Sequence, residues 1–309
     1  MEKPKLIIVA GPTAIGKTDY AINLAKNCDG EIVSLDTVQV YKGLNIGSAK
    51  PSEEQLKEVP HYMIDEVDPS VNLNVKDFKD LATKYINDIL DRKKQPILVG
   101  GSGFYIDAVL FDTEFLYEDE NESNKIRQEL ELDLKDKGVD YLYEELKKVD
   151  EKALSYIPKE NTRRVIRAIE FYRLHGMPIS IHNENERNKE CKYDYTYNVL
   201  CMDRNKLYER INHRVDLMIR NGLLSEVKSL INKGYNLSLN SMNSIGYKEL
   251  YYFCRERDEI KNINNLDLDS KKELDKIIEE IKMHSRNYAK RQMTWFRSKK
   301  NIKKSFIFY

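Results

Sequence analysis

The sequence predicts an α/β fold: a P-loop NTPase-like parallel sheet core that carries a helical insertion domain. Three observations lead there. Residues 11–18 read GPTAIGKT, directly after the apolar run KLIIVA and directly before a helical pattern. This is the phosphate-binding pattern G-x-x-x-x-G-K-S/T in its proper strand-to-helix setting. Apolar strands and amphipathic helices then alternate up to residue 99, which is the rhythm of parallel βαβ units. That rhythm stops near residue 116 and resumes near 195.

Residues 5–10 form the first strand, and their unbroken apolar run suits burial on both faces of a sheet. A helix follows from about Lys17 to Lys26. EIVSL at 31–35 is a second strand, ending at Asp36. In 77–91 the apolar residues Phe78, Leu81, Ala82, Tyr85, Ile86, Ile89 and Leu90 recur at helical spacing. Ile97-Leu98-Val99 is a buried strand that runs into Gly100-Gly101. Residues 116–160 are acidic, lack short β-type runs and read as helices. RRVIRAIEFYRL at 163–174 is a basic amphipathic helix, stopped by Gly176 and Pro178. The polar stretch 182–194 reads as loop, and TYNVLCM at 196–202 as strand. Helices follow from about Arg204 to the high 290s, with the Asn- and Lys-rich stretch 257–273 as a surface loop. SFIFY at 305–309 closes the sheet. The expected division is a first core part (1–115), a helical insertion (116–194) and a core completion (195–309). No internal repeat is visible.

A chain of 309 residues suits about two domains. With 51 basic and 51 acidic residues the formal charge is zero, so any nucleic-acid binding has to come from local patches. Cys28, Cys191, Cys201 and Cys254 include no C-x-x-C pair, which argues against a zinc site and against a disulfide framework. The apolar run at the N-terminus is too short for a signal peptide and opens into the P-loop. No stretch approaches the ~20 apolar residues of a membrane span. A cytoplasmic protein without membrane contact is expected.

The chemistry begins at Gly11, Pro12, Thr13, Ala14, Ile15, Gly16, Lys17 and Thr18. Backbone N–H groups of such a loop, and the dipole of the helix behind it, attract a phosphate. Lys17 adds a point charge, and Thr18 can offer a hydroxyl to Mg²⁺. The pattern is common in ATP-binding proteins, yet it signals two linked phosphates rather than a nucleotide. A P-loop hydrolase usually has a later strand ending in an Asp that helps hold Mg²⁺; here that strand ends in two glycines. The guanine-reading string N-K-x-D is absent. Small-molecule or nucleoside kinases and diphosphate-handling transferases both stay open. Asp36 follows the second strand, and in a parallel sheet the carboxyl ends of strands face the ligand crevice. It can bind Mg²⁺, serve as a general base, or simply cap a turn.

Taken together, six strings give the chain a resemblance to the tRNA dimethylallyltransferases, also called tRNA isopentenyltransferases, in their shorter bacterial form. They are GPTAIGKT (11–18), SLDTVQVYKGLNIGSAKP (34–51), PHYMIDEVDP (60–69), GGSGFY (100–105), IGYKE (245–249) and YAKRQMTWFR (288–297). Thr37 and Ser102 stand where the family commonly has Ser and Thr, and the insertion matches more weakly. The resemblance implies a prenyl group moved from dimethylallyl diphosphate to the exocyclic amine of the adenosine 3′ of the anticodon, with Mg²⁺ and release of diphosphate. The partner is then the tRNA anticodon stem-loop, and a monomer is expected. The missing strand-end acid is explained, because no water needs activating and the glycines can form a wall against a ligand. By the same resemblance Asp36 is the base, and Arg214 in ERINHRVDLM is a cation for the leaving group. Ser102 is a hydroxyl near the amine. Asp36, Thr37, Val38 and Gln39 touch the adenosine, and Arg163, Arg164 and Arg167 meet the anticodon arm. His61 and the insertion's Tyr141, Tyr143, Tyr156 and Tyr172 read first as structural.

One further expectation rests on periodicity. At 100° per residue, Leu274, Ile277, Ile278, Ile281, Tyr288 and Trp295 share a core-facing side. Arg286, Lys290 and Arg297 fall together on the opposite side, in a segment free of acidic residues from His284 onward. A stripe of this kind suits phosphate, and so tRNA.

Overall fold

The computed structural model describes residues 2–257, 266–298 and 304–308. By its internal contacts the chain forms two compact units, one of residues Met1–Leu110 with Lys192–Tyr309, the other of Phe111–Cys191.

The first unit is built on strands β1 (Lys5–Ala10), β2 (Gly30–Leu35), β3 (His61–Tyr62), β4 (Gln95–Gly100), β5 (Asp194–Cys201) and β6 (Ser305–Phe308). They make one parallel sheet in the order β3-β2-β4-β1-β5-β6. β1 therefore lies where the order reverses, the switch point at which open α/β sheets bind ligands. The expected parallel core is present. Leu6, Ile8, Val9 and Ala10 are all buried, as the apolar run requires.

The helices of this unit are α1 (Lys17–Cys28), α2 (Glu53–Glu58), α3 (Val75–Asp91) and α4 (Gly103–Leu110) before the second unit. After it come α8 (Arg204–Arg220), α9 (Leu223–Asn232), α10 (Tyr247–Arg255) and α11 (Leu268–Ser298). α3 starts in a capping box, Asn74 with Asp77, and buries Phe78, Ala82, Ile86 and Ile89. α8 is capped by Asp203, which accepts from the Asn205 and Lys206 amides. α11 packs against α8, α10 and α4.

The second unit holds α5 (Glu120–Val149, interrupted at Gly138), a 3₁₀ turn (Glu151–Ser155), α6 (Thr162–His175) and α7 (Ile179–Arg187). Its core includes Leu130, Leu142, Leu146, Val165 and Ile169, with Tyr141 and Tyr143 packed on it. Buried Asp150 caps the 3₁₀ turn at Ala153 and accepts from Ser180 N (2.8 Å) and Ser180 Oγ (2.6 Å).

Two loop expectations need correction. Most of 182–194 is helical or strand, because α7 runs to Arg187 and β5 begins at Asp194. The contact that seats α7 is the Asp150–Ser180 pair, which composition cannot reveal. Residues 268–273, within the expected loop 257–273, belong to α11, which Asp267 caps by accepting from Ser270 N at 2.8 Å. Positions 258–265 of that stretch, and Tyr309 of the closing strand, lie outside the described residues.

Candidate active site

Strand register assembles the site. Ala10 pairs with Gly100, and Gly100 pairs with Leu35, so β1, β4 and β2 end level with one another. The residues that follow are Gly11 of the P-loop, Gly101 and Asp36. The phosphate loop, the glycine wall and the lone acid thus leave the sheet side by side.

They surround a cavity of about 520 Å³. Thr13 to Asp19 form one wall, Val99 to Gly101 a second, and Ser34, Asp36, Gln39, Ser48 and Ala49 a third. α8 closes it with Arg210, His213, Arg214 and Leu217, the i, i+3, i+4, i+7 face of one helix. Arg214 donates through Nη2 to the Thr13 hydroxyl. Burial pushes its guanidinium down from the ordinary range, and the Asp36 charge opposes that. Lys17 donates to the Pro12 carbonyl at 2.9 Å. Burial pushes its ammonium down to about 8; Asp36 raises it, and Arg214 lowers it further. Lys17, Arg210 and Arg214 therefore share this space with the carboxylates of Asp19 and Asp36.

Asp36 Oδ1 accepts from Val38 N (2.9 Å) and Gln39 N (3.2 Å). The turn-capping role is real, and it fixes the carboxylate while Oδ2 accepts no hydrogen bond from the described residues. The Gln39 amide is spent on the protein: Nε2 donates to Ser48 O (3.2 Å) and Ala49 O (3.1 Å). Thr37, Val38 and Ser102 are not lining residues of this cavity; Ser102 lies just before α4.

Sequence reasoning passed over the contribution of α11. Buried Gln292 accepts from Thr13 N at 2.9 Å and donates to Gly101 O at 2.9 Å, tying the P-loop to the glycine wall. The glycines make that approach possible. A Cβ at Gly101 would lie 2.2 Å from Gln292 Nε2, and one at Gly103 would lie 2.1 Å from the Trp295 ring. GGSGFY therefore admits the last helix as well as facing the cavity. Burial pushes the Tyr288 phenol up to about 12, and the nearby Asp36 charge adds to this. The signal for both was the string YAKRQMTWFR, whose uncharged polar members sit among buried positions.

Of the basic stripe expected on α11, only Arg286 turns back onto the protein. Arg286 donates to Asn212 Oδ1 of α8 at 2.6 Å, whereas Lys290 and Arg297 are exposed. Lys290 joins Asn287, Arg291, Thr294, Trp295 and Ser298 around a shallow hollow of about 450 Å³. In the second unit, Arg163 and Arg164 are exposed on α6. Arg167 is not free: it donates to both oxygens of Glu118, at 2.9 and 2.6 Å. His61 meets the Val59 carbonyl through Nδ1 at 2.8 Å, a structural bond.

Among the described residues no cluster of three or more His, Cys, Asp or Glu is arranged to hold a metal, and no helix is long and apolar enough to cross a membrane. None of Cys28, Cys191, Cys201 and Cys254 forms a disulfide.

Residues 39–299 match the family model described as IPP transferase. The chain is 43% identical to the tRNA dimethylallyltransferase of Acetivibrio thermocellus over 96% of its own length and 90% of the relative's. It is 41% identical to that of Clostridioides difficile, covering 98% and 92%. Among solved structures, the full-length tRNA isopentenylpyrophosphate transferase of Bacillus halodurans is 40% identical, with a TM-score of 0.66 and coverage of 99% and 91%. A eukaryotic dimethylallyltransferase captured acting on tRNA is 26% identical, with a TM-score of 0.76 and coverage of 98% and 74%. A P-loop beside an acid without a strand-end partner left kinases and diphosphate transferases open, and these relatives decide between them: the chain belongs to the IPP transferase family, the prenyltransferases that include the tRNA dimethylallyltransferases.

Proposed function

We propose that this enzyme transfers the dimethylallyl group of dimethylallyl diphosphate to the exocyclic amine of the adenosine 3′ of the anticodon in tRNA, acting as a cytoplasmic monomer. The observation that carries the reading is the convergence of Lys17, Arg214 and Asp36 on one cavity whose β4 wall ends in glycine. The carbon–oxygen bond to diphosphate breaks as the nitrogen–carbon bond forms. The amine proton passes to Asp36, which removes the charge developing on nitrogen. Lys17, Arg214 and the loop amides hold the departing diphosphate, whose charge grows in the transition state. The target base leaves its stack to reach Asp36, as base-modifying enzymes require.

Mg²⁺ suits this cavity as the counter-ion of a bound diphosphate. It commonly keeps its waters and takes few protein oxygens, and here the Thr18 hydroxyl lines the cavity. When bound, the ion neutralises charge on the leaving group. The deciding experiment is nucleoside analysis of tRNA after incubation with enzyme, Mg²⁺ and dimethylallyl diphosphate. Prenylated adenosine without added ATP is expected. Phosphate transfer from labelled ATP to a nucleoside, with no prenylated product, would replace this reading with a kinase.

Donor affinity should depend on pH through Lys17. Its ammonium loses its proton near pH 8 in the free enzyme, and a diphosphate favours the charged form. Affinity is then flat near pH 7 and falls as pH rises through 8, approaching about tenfold per unit. Calorimetric titration with an unreactive thio-diphosphate analogue reads this directly. A flat profile from about pH 7 to 9.5 would mean that Lys17 keeps its proton over that range or does not meet the donor, and donor binding by Lys17→Ala separates the two.

On α11, Lys290 and Arg297 are expected to meet tRNA phosphates and Arg286 to serve α8. The double variant Lys290→Ala/Arg297→Ala should lower the salt slope of tRNA binding by about 1.4–1.8, and Arg286→Ala should leave it unchanged. An unchanged slope in the double variant would assign the stripe to solvent. Contact with the anticodon arm would then rest on Arg163 and Arg164.

A further inference from the structure

The segment that follows Asp36 is held by one carboxylate from the C-terminal half of the chain. Glu226 of α9 accepts from three successive amides: Asn45 N (3.0 Å), Ile46 N (2.8 Å) and Gly47 N (3.1 Å). It also accepts from the Tyr247 hydroxyl at 2.7 Å. Successive N–H groups converging in this way form an anion-binding concavity, and the protein fills it with its own side chain. Gly47 is required here, because a Cβ at that position would lie 2.5 Å from the fully buried Tyr247 ring. Tyr247 and Gly47 belong to two of the sequence strings, IGYKE and SLDTVQVYKGLNIGSAKP, for which the chemistry so far gives no joint task.

The clamp is connected to Asp36. The carbonyls of Ser48 and Ala49, next along the chain, accept from Gln39 Nε2. Gln39 Oε1 accepts from the Ser34 hydroxyl at 3.3 Å, and Gln39 N donates to Asp36 Oδ1 at 3.2 Å. An unbroken path of hydrogen bonds and two or three backbone units thus runs from Glu226 to the carboxylate in the cavity. Ser48 and Ala49 are themselves part of the cavity wall.

From this geometry we infer that Glu226 is a positioning residue for the acceptor: it sets the wall formed by Ser48 and Ala49 and, through Gln39, the aim of Asp36. The inference rests on the proposed transfer to tRNA. The P-loop, which would hold the donor, is outside the path, so the two substrates should respond differently.

The test is Glu226→Gln. The amide keeps the size but puts an NH₂ group against backbone donors. Expected is a fall of about 10–100-fold in kcat/KM for tRNA, the scale of losing a charged buried hydrogen bond, with calorimetric affinity for the donor analogue unchanged. Amide exchange at residues 45–47 should accelerate. A variant that merely melts earlier, with wild-type kinetics toward both substrates in its folded fraction, would overturn the proposal. Should Glu226→Gln not fold, Tyr247→Phe removes one of the four groups and keeps the ring; the same split between substrates is expected at smaller size, and unchanged kinetics would overturn the proposal. If wild-type enzyme prenylates no tRNA, the function reading fails on its own. Exchange at residues 45–47 still decides whether Glu226 holds the segment, and unaltered exchange there overturns the clamp.

Discussion

Asp36→Asn leaves donor affinity intact and lowers turnover by about 10²–10⁴, the usual worth of a positioned base. The geometry makes this substitution informative. Val38 N and Gln39 N both donate to Oδ1, and an Asn side-chain oxygen can accept both bonds. The turn survives, and the capacity to take a proton is lost. The Asp36 charge also supports the Lys17 ammonium, so donor binding of the two forms is compared well below about pH 8, where loss of that support matters least. Single-turnover transfer with both substrates saturating reads the chemical step. Near-normal turnover would remove Asp36 from the mechanism and leave it as a turn cap.

Lys17→Ala is expected to weaken diphosphate binding and prenyl transfer together, with a loss of about 10²–10³ in the transfer step, as for other deleted transition-state charges. The contact exists in the ground state and strengthens as the leaving group gains charge, so both parameters move. Arg214 stays on the Thr13 hydroxyl, which keeps the residual activity above background. Analogue binding together with single-turnover rates separates the two effects. Transfer that strictly requires ATP would contradict the assignment of this loop to the prenyl donor.

What could be read from the chain depended on how local the cause was. KLIIVA, GPTAIGKT and the apolar spacing of 77–91 each fix their element with residues a few positions apart, so β1, the phosphate loop and α3 were legible. Asp36 was legible as well, because a strand end and its register follow from the same pattern. Distant partners were not. α7 has few apolar residues and is seated by Asp150, some thirty positions away. The orientation of Arg286 is decided by Asn212 on another helix. Arg167 carries a positive charge in the sequence, but in the fold that charge is committed to Glu118. In the sequence Gln292 is one polar residue among many, and its role as a strut depends on Gly101, nearly two hundred residues earlier.

The central position of β1 also sets a timetable for synthesis. Its neighbour β5 pairs Asp194 with Lys5, and the whole second unit is translated between them. At ribosomal speeds of about 5–20 residues per second, the nascent β1 waits roughly 10–40 s for that neighbour. Throughout the wait, one edge of an apolar strand has open backbone groups, the kind of edge that pairs with other chains. The second unit has its own core and can close while the first is still unfinished. For this protein the insertion 111–191 accounts for about 4–16 s of that wait, so slow codons or scarce chaperone across it lengthen the vulnerable interval directly.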